Sequence, residues 1–210
     1  MLQTPDLTID DLEADSPEPI TLAIPHNLML NISHQDFVKL AAVNRDIRLE
    51  RTSTGALIVN PPTGWETGQR NVSISGELYV WWCGAGKPGK VFESSTAFTL
   101  PNGATLSPDA SWVSQSRWDS LTDVQKQTFA LVCPDFVVEL RSKSDRLKPL
   151  QEKMQEYMDN GARLGWLINP QQRQVAIYRS DKAVEILENP QTMSGEDVLG
   201  GFVLQLNLIW

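Results

Sequence analysis

The residues best suited to chemistry lie in Pro134-Asp135-Phe136-Val137-Val138-Glu139-Leu140-Arg141-Ser142. As a strand, this run sends Asp135, Val137, Glu139 and Arg141 to one face and Phe136, Val138 and Leu140 to the other. An ionised group buried without a partner is costly, so these charges must pair, hold a cation or lie at an open edge. The plain reading is an internal Glu139–Arg141 or Asp135–Arg141 ion pair. A chemical reading needs a second acid. Ser107-Pro108-Asp109-Ala110-Ser111-Trp112-Val113 supplies one, 30 positions before Glu139. Two carboxylates on neighbouring strands can converge on Mg²⁺, which takes oxygen ligands and keeps several waters. Such an ion polarises a phosphodiester and lowers the pKa of an attacking water, and a nearby cation stabilises the charge developing on phosphorus. Pro-Asp alone is weak support, because it also marks turns and strand starts and recurs at Pro5-Asp6 and Pro134-Asp135.

These acids need elements to position them. Ser33 opens a short helical pattern with Phe37, Leu40 and Ala41 on one side, and Ser33 through Asp36 suits a capping arrangement. Ile47–Glu50 and Ala56–Val59 flank Thr54-Gly55 as a hairpin. Thr63-Gly64-Trp65-Glu66 fits a capping box for a helix running to about Trp82. That helix carries Val72, Gly76, Tyr79 and Val80 on one side and Ile74, Leu78 and Trp81 on the other, which predicts burial between two layers. A strand reading of Val72 to Val80 is the alternative. Short β runs follow at Lys90–Glu93, Phe98–Leu100 and Pro108–Val113, then a polar helical stretch near Leu121–Phe129. After Asp135–Arg141, a helix is expected from Pro149 to Asn160, with Gly161 just past its end. Gly165–Asn169, Val175–Arg179 and Val184–Leu187 read as strands. The order defines one α/β domain over residues 26–210.

Two blocks, LPNGATLSPDASWV (100–113) and CPDFVVELRSKSDRLKPLQEKMQEYMDNGARLGWLINP (133–170), occur in an order that resembles the Uma2 family. The likeness spans most of residues 33–210. It implies a PD-(D/E)XK, restriction-endonuclease-like core: a mixed central β-sheet flanked by helices, here with an added N-terminal hairpin and C-terminal strands. By that resemblance Asp109 and Glu139 hold Mg²⁺ or Mn²⁺, and Asp135 is a decoy at the start of the second strand. The usual lysine two positions after the second acid is replaced by Arg141, which stays protonated and is a poor proton acceptor. The resemblance moves the lysine onto the following helix, at Lys153, against the alternative of a surface pair with Glu152 or Glu156. Glu66 and Glu93 are further acids that could reach the metal. Arg141, Lys143, Arg146, Lys148 and Lys153 form a local basic cluster suited to phosphates or simply to solvent.

The bulk composition sets limits. The net charge is −8, but six of the 26 acids and none of the 18 bases fall in residues 1–25, leaving a body near −2. That acidic stretch, with Pro5, Pro17, Pro19 and Pro25, reads as a poorly ordered arm, with a docked extension as the rival. Charge alone does not suggest strong duplex binding. Cys83 and Cys133 have no metal-ligand spacing and read as free thiols; His26 and His34 lie far in sequence from the other candidates, which disfavours zinc or histidine-driven hydrolysis. With no membrane-length apolar run and no signal-peptide pattern, a cytoplasmic protein is expected. The leading functional expectation is an endonuclease acting on DNA, compatible with a homodimer. The alternative is a non-catalytic nuclease fold that binds nucleic acid or protein.

Overall fold

The computed structural model describes residues 29–210; the expected arm at 1–25 lies outside them. Helix α1 (His34–Val43) precedes a hairpin of β1 (Arg48–Arg51) and β2 (Leu57–Asn60), and α2 follows (Trp65–Gly84). Strands β3 (Lys90–Glu93), β4 (Phe98–Thr99), β5 (Thr105–Leu106) and β6 (Ala110–Val113) lead to short helices α3 (Gln115–Asp119) and α4 (Asp123–Lys126). Then come β7 (Phe136–Leu140), α5 (Leu147–Asp159), β8 (Leu164–Asn169), β9 (Gln174–Arg179) and β10 (Lys182–Glu188). Two short strands, β11 (Thr192–Ser194) and β12 (Val203–Gln205), close the chain. The main sheet has the order β10-β9-β8-β7-β6-β3, mixed because β7 and β8 run parallel while its other pairs are antiparallel. A second sheet, β2-β1-β5-β4, carries the expected hairpin.

Every residue of β7 and β8 is buried, as expected of central strands covered on both faces. Phe136, Val138 and Leu140 pack with Ile74 and Leu78 of α2 and with Phe202 and Leu204 from the C-terminal segment. Val137 and Leu167 point the other way, against Met154 and Tyr157 of α5. The crossover helix α5 thus lies over the face that also carries Glu139. Gly165 permits its approach, because a Cβ there would overlap Met154 and press on Val137. Asn160 caps α5, and Gly161, at φ +101°, turns the chain into β8.

Several expectations change. Ser33 does cap α1, accepting from the Asp36 amide at 3.1 Å. The predicted capping box at Thr63 does not form: α2 starts one residue later, with Gly64 at its N-cap and no side-chain cap, while Glu66 bonds Arg70 instead. Nor is α2 buried between layers. Ile74 and Leu78 are buried, but Val72, Tyr79 and Val80 are exposed. The segment is helical throughout, which removes the strand alternative. Strands β11 and β12 lie beyond Val184–Leu187, the last strand that the sequence pattern marks. Each is three residues long, and a single residue of each, Met193 and Leu204, faces inward, too little to establish a period. Both cysteines are free thiols, Cys83 exposed and Cys133 buried. No helix among the described residues is long and apolar enough to cross a membrane.

Candidate active site

Antiparallel pairing of β6 with β7 sets Ala110 opposite Val138, and the Asp109 amide donates to the Val138 carbonyl at 2.9 Å. One step further along that ladder, Asp109 lies across from Glu139. Residues directly opposite in a ladder share a face. Both acids line one cleft of about 690 Å³, and both are buried, at 8% and 2% exposure.

Lys153 enters from α5. Its ammonium lies 2.8 Å from Glu139 Oε1 and 2.9 Å from Glu50 Oε1, and donates to the Ser107 carbonyl at 3.0 Å. The surface pairing with Glu152 or Glu156 is not formed; Glu152 pairs with Lys148 instead. Packing of Met154 and Tyr157 against the sheet puts the preceding residue at the border of the buried stripe, so its stem is covered and its charge reaches the cleft. Asp109 is held by the Leu140 amide at 2.8 Å on Oδ2, and by Asn71 at 3.3 Å and the Arg48 guanidinium at 3.6 Å on Oδ1. The Tyr157 hydroxyl faces Glu139 Oε1 at 3.4 Å. Among the described residues, Glu139 Oε2 accepts no hydrogen bond from the protein, which leaves it free toward the cleft.

Glu50, at 4% exposure, is the site residue the sequence reading missed. Besides Lys153, its Oε1 accepts from the Ser107 amide at 2.7 Å, and its Oε2 accepts from Asn60 at 3.1 Å. Four residues of hairpin rich in Arg and Glu look solvated, and only the pairing of Arg51 with Thr105 turns β1 toward the cleft. Arg48 came with it, its guanidinium bonded to the Ser107 carbonyl at 3.1 Å.

The remaining candidates lie elsewhere. Asp135 is buried at the opposite end of β7, paired with Arg117 at 3.2 Å and accepting from the Ser114 amide at 2.7 Å. The Glu139–Arg141 and Asp135–Arg141 ion pairs are therefore absent: Arg141 bends to the Asp145 carbonyl at 3.2 Å and to Asn169, lining a separate small pocket. Its position at the end of β7 lets it leave the face it nominally shares with Glu139. Glu66 stands at the rim of the main cleft, bridged to Lys143 at 2.7 Å and Arg70 at 3.0 Å. Its pKa is lowered by the Lys143 hydrogen bond and by the charge of Arg70. Glu93 is exposed on β3, bonded to Ser95, and does not line the cleft.

Three buried carboxylates face two cations here, and the imbalance falls on Glu139. Burial, then the charges of Asp109 and Glu50, push its pKa up to about 8 despite Lys153. Glu50 is moved down: burial opposes this, but Lys153, the Ser107 amide and Arg48 outweigh it. Burial disfavours the Lys153 ammonium, yet Glu139 and Glu50 more than offset it and raise its pKa. Lys153 is a fixed cation, not a proton acceptor near neutrality. In the metal-free protein the folded state holds a proton on Glu139 that the unfolded chain has lost, so Glu139 makes stability decline as pH rises from about 4.5 to about 8. Melting temperatures with a chelator should fall across pH 6 to 8.5 more steeply for the wild type than for Glu139→Gln. Equal slopes would count against the charge imbalance.

Do these residues fit a divalent ion? Among the described residues no group of three or more His, Cys, Asp and Glu is arranged as a metal cage. The fit is instead to a hard ion held by two carboxylates and otherwise by water, as Mg²⁺ prefers. The free Glu139 oxygen, the adjacent Asp109 and the unbalanced negative charge support that fit.

A mixed sheet whose antiparallel central pair brings an aspartate and a glutamate into a cleft, backed by a lysine from the crossover helix, defines a restriction-endonuclease-like α/β protein. The fold is shared with a solved structure described as a putative nuclease belonging to DUF820 from Anabaena variabilis. The two are 18% identical, the match covers 85% of this chain and 97% of that one, and the TM-score is 0.70. Residues 34–207 match the Uma2 family, described as "Putative restriction endonuclease", and the chain belongs to that family. No curated protein matches it.

Proposed function

We propose that the protein is an endonuclease that hydrolyses DNA phosphodiester bonds with Mg²⁺ or Mn²⁺. The observation that carries this reading is the convergence of Asp109 and Glu139 in one cleft with the Lys153 ammonium 2.8 Å from Glu139. Asp109 and Glu139 would hold the ion, which when bound supplies Lewis acidity and a more acidic water. The protein's own groups orient and neutralise. The Leu140 amide and Asn71 fix the Asp109 carboxylate, and Lys153 and Ser107 fix Glu139 and Glu50. Arg48, partly exposed beside Asp109, can meet a phosphate oxygen through its fork of N–H donors. Lys153, held protonated, offers positive charge to the phosphoryl group as it becomes more anionic. Seven carboxylates against three basic side chains line this cleft, so a nucleic-acid strand needs metal ions to approach.

The test is nicking of supercoiled plasmid and degradation of single-stranded DNA, with RNA alongside, in Mg²⁺, Mn²⁺ or a chelator. Metal-dependent cleavage of DNA supports the reading. The second reading, a non-catalytic nuclease fold, is favoured by the same acidic lining and by Arg141 at the usual lysine position. Calorimetric titration with Mn²⁺ separates the two: no heat of binding together with no cleavage leaves only the interaction module.

A further inference from the structure

Helix α2 exposes an apolar stripe along its whole length. Trp65 is 97% exposed, Val72 72%, Tyr79 55% and Val80 70%, and Cys83 is exposed as well. At 100° per residue these positions, with Gly68 and Gly76, fall within one third of the helix circumference. Nothing among the described residues explains the two glycines: a Cβ at either meets nothing within 4 Å, and neither has a positive φ. Glycine in a helix interior weakens the helix relative to alanine.

We infer that α2 pairs with α2 of a second copy, antiparallel about a two-fold axis that crosses the exposed stripe between Val72 and Gly76. In that register three of the four bulky residues meet a small one: Val72 opposite Gly76, Val80 opposite Gly68, Trp65 opposite Cys83; Tyr79 falls opposite Gln69. A two-fold interface must be self-complementary, and this stripe is. The glycines are the hollows that receive the valines, which lets the helices approach closely. The helix is 20 residues long, about 30 Å, and a stable interface needs on the order of 1,200 Å² in total, so the flanks of α2 must join the stripe in the contact. Trp65 also lines the catalytic cleft. Pairing therefore brings the C-terminal end of the second copy's α2 to the cleft rim, and the two clefts lie at opposite ends of the helix pair. The inference does not depend on the chemistry proposed above.

Sedimentation or light scattering of the full chain should give twice the 23.5 kDa chain mass at micromolar concentration. Gly76→Leu and Val72→Glu, both at exposed positions, should each raise the dimer dissociation constant about 30-fold or more, with circular dichroism unchanged. Gly76→Ala should raise the melting temperature of the monomer while weakening the dimer, opposite signs that a purely internal role would not give. The swapped pair Val72→Gly with Gly76→Val exchanges knob and hollow and should restore association. In an oxidised Trp65→Cys variant, a cross-link to Cys83 of the second copy should form. A monomeric wild type overturns the inference, as does a dimer indifferent to Gly76→Leu. A monomer whose single-stranded DNA binding is lost on Trp65→Ala would overturn it too, assigning the stripe's end to substrate stacking.

Discussion

Asp109→Asn and Glu139→Gln should each cut metal-dependent DNA cleavage by about a thousandfold or more, while melting within a few degrees of the wild type at pH 7. The loss follows from charge. A two-carboxylate site that surrenders one carboxylate holds a hard divalent ion much less well, and the metal's part in activating water and polarising phosphate falls with it. Stability should survive for a different reason in each case. Glu139, with a pKa near 8, is largely protonated at pH 7 without metal, and a glutamine has the same shape and charge as the protonated acid. Asparagine at 109 keeps a carbonyl oxygen for the Leu140 amide, at the cost of the attraction to Arg48. Calorimetry should show Mn²⁺ binding to the wild type and its loss in both variants, and the metal-induced rise in melting temperature should vanish with it. Cleavage unchanged in both variants would remove these acids from the mechanism.

How much of this was legible beforehand can be judged residue by residue. The pair Asp109 and Glu139 was readable because strand alternation and the family resemblance both act locally, and the register of β6 on β7 then had to set them on one face. Lys153 was nominated by the family resemblance, and its place at the edge of the α5 stripe is what lets its ammonium reach Glu139. Glu50 was not legible: its partners Lys153 and Ser107 lie 103 and 57 positions away, and a charged hairpin strand carries no local sign that it will be buried. Arg141 misled because a strict period of two was extended past the end of β7, where the backbone leaves the ladder. The α2 error has the same form. Two apolar faces predict two internal contacts, but only the Ile74/Leu78 face meets the sheet. Periodicity states that a face is apolar; it does not say which molecule covers it.

Lys153→Met should be the most destabilising single change in the site, by about 3–5 kcal/mol at pH 8, or roughly 10 °C in melting temperature for a chain of this size. The side chain is similar in length, so packing along α5 is kept and the deficit is electrostatic. Removing the ammonium leaves Glu50 and Glu139, at 4% and 2% exposure, with their shared counter-ion gone. Glu50 would retain only the Ser107 amide, Asn60 and a 4.0 Å contact with Arg48. Glu50→Gln alone should cost less, because Lys153 keeps Glu139. Combined with Lys153→Met, it should recover about 2 kcal/mol relative to the sum of the single changes, the signature of groups sharing one network. The pH dependence gives the sign independently. With Lys153 gone, both acids have raised pKa values in the folded state, so the folded protein binds more protons than the unfolded chain and the variant gains stability as pH falls toward 5. If the proposed function holds, cleavage should not return in the double variant even where stability does, since the cation assigned to the phosphoryl group is still missing. A Lys153→Met protein as stable as the wild type at pH 8 would mean that the ammonium only decorates the cleft wall, and its role beside Glu139 would have to be abandoned.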